Sequence, residues 1–263
     1  MGASTIVGKG GSAGSAERAW RARWVQRWLD LTFLHAAYDP RVVKPLIPRG
    51  LELDTHPDCN GREKAWVGLV GFRIAGTRPP WGPPLPLLSS FPELNVRTYV
   101  RRDGFDPAVL FLTLDAPNRF ACAMGRILYK VPYLLAATEH ARQGGFLHSS
   151  SVRNGSLPAR TEFRAALGEA IAGERGSLEE FLTNRSRFFA LWRGVLLTAS
   201  VRHPPYRLRA LRVERIESGH FQALGLPPPE WAHACYCEGV RSEFSRPAIV
   251  DEGDAALHPA EPA

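Results

Sequence analysis

FPELNVRTYV, residues 91–100, reads as a β-strand with polar side chains at every second position, Glu93, Asn95, Arg97 and Tyr99. Successive side chains of a strand point to opposite faces, so these four share one face and Leu94, Val96, Thr98 and Val100 take the other. Two environments satisfy that pattern: a wet polar face over an apolar core, or a polar face lining a cavity. The strand has clear neighbours. ELNVRTYVRRDG and AVLFLTLDA read as two strands joined by a turn around Asp103-Gly104, and KAWVGLVGFRIAG upstream is a strand partly apolar on both faces.

Further upstream, ERAWRARWVQRWLDL sets Trp20, Trp24 and Trp28 four apart with Val25 and Leu29 beside them. That spacing predicts an amphipathic helix docking its tryptophans on the domain. Arg18, Arg21, Arg23 and Arg27 line its other side, so a membrane-surface helix is the alternative. LTFLHAAYDP reads as a short strand closed by Asp39-Pro40, RVVKPLIP as a helix ending before Gly50, and TRPPWGPPLPLLSS as a Pro-rich loop of the lid or rim type.

Downstream, APNRFACAMGRILYK switches to helical spacing until Pro132 interrupts it. AATEHARQGGFLHSSSVR and ARTEFRAALG alternate around a Gly-Gly turn, and Ser177 with Glu180 is a capping box opening a helix in SLEEFLTNRSRFFALW. GVLLTASVRH, YRLRALRVERI and HACYCEGVRSEF supply further strands. Many strands and few helices predict an α+β chain dominated by an antiparallel sheet or barrel. Residues 17–247 form a single domain, between a Gly- and Ser-rich flexible tail over 1–16 and a loose C-terminal tail over 248–263.

Composition narrows the class. In 263 residues, 44% are hydrophobic and 22% charged, the balance of an ordinary globular protein, and no apolar run reaches the roughly 20 residues of a membrane span. No secretory leader pattern opens the chain, and four cysteines make no disulfide framework, so a cytoplasmic protein with reduced thiols is expected. The net charge of +7 is carried almost wholly by arginine, which fits a GC-rich genome as well as an acidic partner, and no nucleic-acid module is visible.

WLDLTFLHAAYDP, LIPRGLELDTH, AWVGLVGFRI, FPELNVRTYV, LDA and GRILYKVPYLLA, in that order, resemble the YqjF-like family, a domain of unknown function in the acetoacetate decarboxylase-like superfamily. The resemblance runs from residue 20 to residue 247. It implies a cone-shaped closed β-barrel with helices packed outside and a ligand cavity inside, which would put Glu93, Asn95, Arg97 and Tyr99 on the cavity wall. Decarboxylases of this superfamily carry a pattern like G-R-E-x-x-G-x-P-K-K, whose lysine after the proline forms an imine with a β-keto acid. GRILYKVPYLLA keeps Gly125, Arg126 and Pro132 but has Tyr133 and Leu134 where the lysines would stand. A tyrosine forms no imine. Lys130, one helical turn after Arg126, is the substitute amine that remains, since a neighbouring guanidinium depresses a lysine pKa.

The expected function is binding of a small polar or carboxylate-bearing metabolite in a cavity lined by Glu93, Asn95, Arg97, Arg126 and Tyr133. Glu93 and Arg97 are placed to hold a ligand or each other. His35 is either an imidazole presented to that pocket or a hydrogen-bonded core histidine. A lyase or isomerase acting on an oxo acid, with Glu93 as base and Tyr133 as acid, is the second reading. A basic surface protein on nucleic acid or membrane is the third. His233, Cys235 and Cys237 alternate on one strand face, yet without a C-x-x-C pair they read as buried groups, and neither metal nor cofactor is expected. A small molecule, with or without a second copy of the chain, is the expected partner.

Overall fold

The computed structural model describes residues 21–103, 105–155 and 157–250. In chain order it contains β1 (Trp24–Tyr38), α1 (Pro40–Val43), β2 (Glu52–Leu53), β3 (Thr55–Pro57), β4 (Glu63–Arg78), β5 (Ser90–Arg101) and β6 (Ala108–Ala116). Then come α2 (Arg119–Tyr129), β7 (Tyr133–Leu135), β8 (Ala137–Gln143), β9 (Phe146–Arg153), β10 (Ala159–Ala170) and α3 (Leu178–Thr183). β11 (Arg187–Trp192), β12 (Val195–Arg202), β13 (Leu208–Ser218), β14 (Trp231–Phe244) and β15 (Ala248–Ile249) complete it.

Strand pairing follows the path β12-β11-β6-β5-β4-β1-β14, and β14 pairs again with β12 at Val201↔Phe244, so the sheet is ring-like. Around the ring only β11 with β6 is parallel. The strands expected from 137 onward extend the sheet from β14 through β13, β10 and β9 to β8, which packs back against β4, β5 and β6.

This second layer answers the ambiguity of β5. Neither of its faces is wet. Leu94, Val96, Thr98 and Val100 are at most 1% exposed, and Leu94 and Val96 pack outward with Val67, Leu69, Phe163 and Phe221. The opposite face, with Glu93 and Asn95, looks into the ring and is also buried. Burial on both sides likewise explains the unbroken apolar run of β4, covered from Ala65 to Phe72.

Two irregularities keep side chains aimed inward. In β1 one extra residue is inserted between Leu29 and Thr32, where Asp30 takes φ +55°. Trp24, Gln26 and Trp28 before it and Leu31 after it therefore share the inner face despite the change of parity. Leu112 is the extra residue of β6, so Phe111 and Leu114 both face the ring interior.

The helix expected around Trp20, Trp24 and Trp28 is strand β1. A spacing of four is even, so it keeps two side chains on one face of a strand as well as of a helix, and pairing with β4 and β14 decides between them. Trp20 and the tail over 1–16 lie outside the described residues. The capping box does open α3, with Ser177 Oγ accepting from Glu180 N at 3.3 Å, but the helix ends at Thr183 and RFFALW is strand β11. The C-terminal tail does not begin at 248: β15 pairs with β12 and Val250 is buried. No helix among the described residues is long and apolar enough to cross a membrane.

A buried polar network ties the ring to the outer layer. Asp115 of β6 accepts from Arg153 Nη1, from Ser151 Oγ at 2.8 Å and from His220 Nε2 at 2.7 Å, while Thr161 Oγ1 meets His220 Nδ1 at 2.7 Å. Burial pushes this carboxyl up, but the His220 hydrogen bond and the nearby cations outweigh it and hold the group below its ordinary value. Its stabilisation is therefore full above the ordinary carboxylate pKa of about 3.9 and lost as pH falls below it. Asp115→Ala leaves Arg153 and His220 buried without their acceptor. Urea unfolding at pH 7 is expected to show a loss of about 3–5 kcal/mol.

Candidate functional site

Glu93, Asn95 and Arg97 project from β5 into a cavity of about 160 Å3 inside the ring. Their cross-strand neighbours set its walls: Glu93 lies opposite Phe72, Asn95 between Val70 and Leu114, and Arg97 between Gly68 and Phe111. Trp24 and Trp28 of β1 and Met124 and Leu128 of α2 complete one side, with Leu88 from the Pro-rich segment beside them. The lining is thus mostly apolar around one polar cluster.

Glu93 is 3% exposed. Tyr133 donates its phenolic O–H to Oε2, and Asn95 Nδ2 donates to Oε1 at 3.1 Å. Among the described residues no cation pairs with it; the expected contact between Glu93 and Arg97 is not made, because Arg97 Nη2 donates to the Leu182 carbonyl at 3.1 Å instead. Burial pushes the Glu93 carboxyl up to about 7, against the downward pull of the bonds from Tyr133 and Asn95. Burial and the adjacent carboxylate drive the Tyr133 phenol well above its ordinary value, so it stays protonated.

Tyr133 reaches Glu93 because the chain turns sharply after α2. Lys130 ends that helix in the left-handed conformation at φ +51°, and β7 then pairs parallel with β6 in the register Leu114↔Tyr133. Arg126 Nε donates to the Tyr133 carbonyl at 2.7 Å. The ring lies against Gly125, where an added Cβ would stand 2.5 Å from Tyr133 Cδ2, so only glycine admits it.

Of the expected site residues, Glu93, Asn95, Arg97 and Tyr133 line the cavity together. Arg126 does not; it holds the Tyr133 backbone, and its guanidinium sits over Trp192. Lys130 is also outside the lining, at the helix end. Tyr99 and His35 lie behind Arg97: His35 Nε2 meets Tyr99 Oη at 2.8 Å, and Tyr99 donates to Leu182 O at 2.8 Å. Burial and the charges of His233 and Arg97 hold the His35 imidazole well below its ordinary pKa, which makes it the hydrogen-bonded core histidine of the two readings.

His233 contacts Glu179 at 3.5 Å, Cys235 and Cys237 are buried free thiols, and the described residues assemble no group of three metal-ligating side chains. Missed in the sequence were Trp24, Trp28 and Gln26 as wall residues. Their even spacing was the available signal, read there as helical.

Glu93 also marks stability. With its pKa raised from 4.5 to about 7, the folded chain holds a proton that the unfolded chain releases, so this group's contribution falls as pH rises from 4.5 to 7. Glu93→Gln abolishes that loss. Urea unfolding at pH 4 and pH 8 is expected to show the variant gaining about 3 kcal/mol on the parent between the two.

A family model, DUF2071, described as an uncharacterized conserved protein, matches residues 25–241. The uncharacterized protein YqjF of Bacillus subtilis is 32% identical over 212 residues, covering 79% of this chain and 84% of that protein. Among solved structures, acetoacetate decarboxylase from Legionella pneumophila matches with a TM-score of 0.61 at 14% identity, over 97% of this chain and 100% of that one. An acetoacetate decarboxylase-like enzyme from Sphingomonas wittichii matches at 0.60 and 11%, over 88% and 93%. The enduracididine biosynthesis enzyme MppR complexed with pyruvate matches at 0.60 and 12%, over 91% and 94%. At such identities the structural likeness establishes the fold alone.

Proposed function

We propose a function from one premise: the chain belongs to the DUF2071 family, the YqjF-like group. In this reading it binds a small carboxylate-bearing metabolite in the ring's cavity and forms no imine with it. One observation carries it. Two buried polar atoms of the lining, Asn95 Oδ1 and Arg97 Nε, have no partner. An unmet buried polar atom costs about 1–3 kcal/mol; a ligand oxygen recovers it at the Arg97 N–H, whereas Asn95 Oδ1, an acceptor, needs a donor.

The proton on Glu93 decides what this cluster offers. When Glu93 is ionised, Asn95 donates to it, and the unpartnered Asn95 oxygen repels a carboxylate. A protonated Glu93 donates instead to Asn95 Oδ1 after an amide flip, leaving Asn95 N–H and Arg97 N–H as donors for an anion. Pyruvate, the ligand in one structural neighbour, brings oxo acids into consideration. The lining offers them no amine, since Lys130 stands outside it and Tyr133 faces Glu93.

The pKa of Glu93 near 7 favours a second reading, a lyase or isomerase acting on an oxo acid. There the carboxylate takes a proton from the carbon beside the carbonyl, the electron pair moves onto the carbonyl oxygen, and Arg97 meets the resulting enolate. Tyr133, kept protonated, is the acid. The third reading, a basic surface protein, has lost the helix on which its membrane version stood, because Trp24 and Trp28 face the cavity.

Calorimetric titration with pyruvate is expected to give an affinity about tenfold or more weaker at pH 8.5 than at pH 6, with Glu93→Gln removing the dependence. A pH-independent affinity in the parent sinks the proton-coupled reading. Borohydride added with pyruvate or acetoacetate is expected to leave the protein mass unchanged; an adduct on Lys130 overturns the imine-free part. For the enzyme reading, deuterium exchange into the pyruvate methyl, followed by NMR, is expected to slow by about 100-fold in Glu93→Gln and Tyr133→Phe.

A further inference from the structure

Resting on the binding reading above, we infer that the ligand is amphiphilic: a monocarboxylate with a branched-alkyl or aryl body, of the 2-oxo acid kind, larger than pyruvate. The polar demand of the cavity is confined to one place. Its buried unpartnered polar atoms are Asn95 Oδ1 and Arg97 Nε, adjacent on the inner face of β5. Trp24 and Tyr206 add an indole N–H and a hydroxyl to the lining, and three other polar groups of it are already satisfied. Gln26 Nε2 donates to Thr77 Oγ1 at 3.2 Å, Trp28 Nε1 donates to Gln26 Oε1 at 3.1 Å, and Tyr129 Oη donates to the Ser245 carbonyl at 3.1 Å.

Away from the polar cluster the walls are hydrocarbon and aromatic. Val70, Phe72, Ile74, Phe91, Leu114 and Phe188 are all less than 9% exposed. Met124 and Leu128 of α2 are more than a third exposed, so the apolar surface continues from the buried cluster to solvent at that helix. A ligand that seats one charged group at Asn95 and Arg97 must lay the rest of itself on this surface. Pyruvate has a single methyl group to offer, and most of the wall would stay wet.

Size sets the upper limit on the enclosed part. An apolar cavity of about 150 Å3 accepts benzene, and the present one measures about 160 Å3. The buried portion of the body is therefore of phenyl or isobutyl size, and anything longer passes out along Met124 and Leu128. A second charge would meet no charged partner among these walls, and a polyhydroxylated chain only the Trp24 indole and the Tyr206 hydroxyl, so desolvation disfavours dicarboxylates and sugar acids.

Calorimetric titration of the full chain at pH 6 with pyruvate, 4-methyl-2-oxopentanoate, phenylpyruvate and toluene tests this. The two larger acids are expected to bind at least about 30-fold tighter than pyruvate, at roughly fourfold per buried CH2, and tighter than toluene. Equal affinity for all three acids overturns the amphiphilic class while leaving the carboxylate-binding reading intact. Toluene binding as tightly as the acids shows that the polar cluster selects nothing, and overturns it too. Failure of every acid to bind at pH 6 removes this inference together with the reading beneath it.

Discussion

A carboxyl group buried with only neutral hydrogen-bond partners is the constraint around which the site is built. Two acidic side chains sit within one register step on adjacent strands, Asp115 opposite Leu94 and Glu93 beside it, on opposite faces of the sheet. Both are almost fully buried. Asp115 receives a guanidinium, an imidazole and a hydroxyl, and its pKa falls. Glu93 receives a phenol and an amide, and its pKa rises to about 7. The chemistry of the two residues is the same; the difference is whether the protein supplies a cation. Where it does, the charge is locked and structural. Where it does not, the proton is free to move near neutral pH, which is the property acid–base sites need.

The geometry that holds Tyr133 against Glu93 is equally specific. It needs a helix that stops at Lys130, a proline that blocks its continuation, and a glycine at 125 that leaves room for a ring. The stretch from Gly125 to Tyr133 therefore has a conformational meaning. Gly125, Arg126 and Pro132 set the path of the backbone, and residue 133 supplies the group that reaches the cavity. Arg126 acts in this way through its bond to the Tyr133 carbonyl and not through the cavity.

Much of this was legible in the residues. Alternation over 91–100 marked the face that carries Glu93, Asn95 and Arg97, and the helix α2 and the pairing of β5 with β6 were signalled by local chemistry. What failed were segments whose local signal fits two structures. Trp24 and Trp28 satisfy a helix and a strand alike, and the choice is made by partners more than 30 residues away in β4 and over 200 away in β14. The capping box fixes where α3 starts, whereas its end is set by β11 pairing with β6 and β12. Two-sided burial of β5 depends on an outer layer that its own twelve residues cannot announce. Whether Lys130 faced the cavity depended on a left-handed residue at the helix end, which sequence spacing does not encode.

The presence of tyrosine and not lysine at 133 and the raised pKa of Glu93 are one fact seen from two sides. An ammonium at 133, within hydrogen-bond distance of this carboxylate, would stabilise the ionised form and pull its pKa down, giving a second locked pair like Asp115 with Arg153. The lysine in turn would be held charged and unable to attack a carbonyl. Tyrosine keeps the hydrogen bond and removes the charge. It thereby offers no amine nucleophile and leaves the glutamate without a compensating charge. A carboxylate ligand arriving beside Arg97 would raise the glutamate's proton affinity further, so binding and protonation at this site would be coupled.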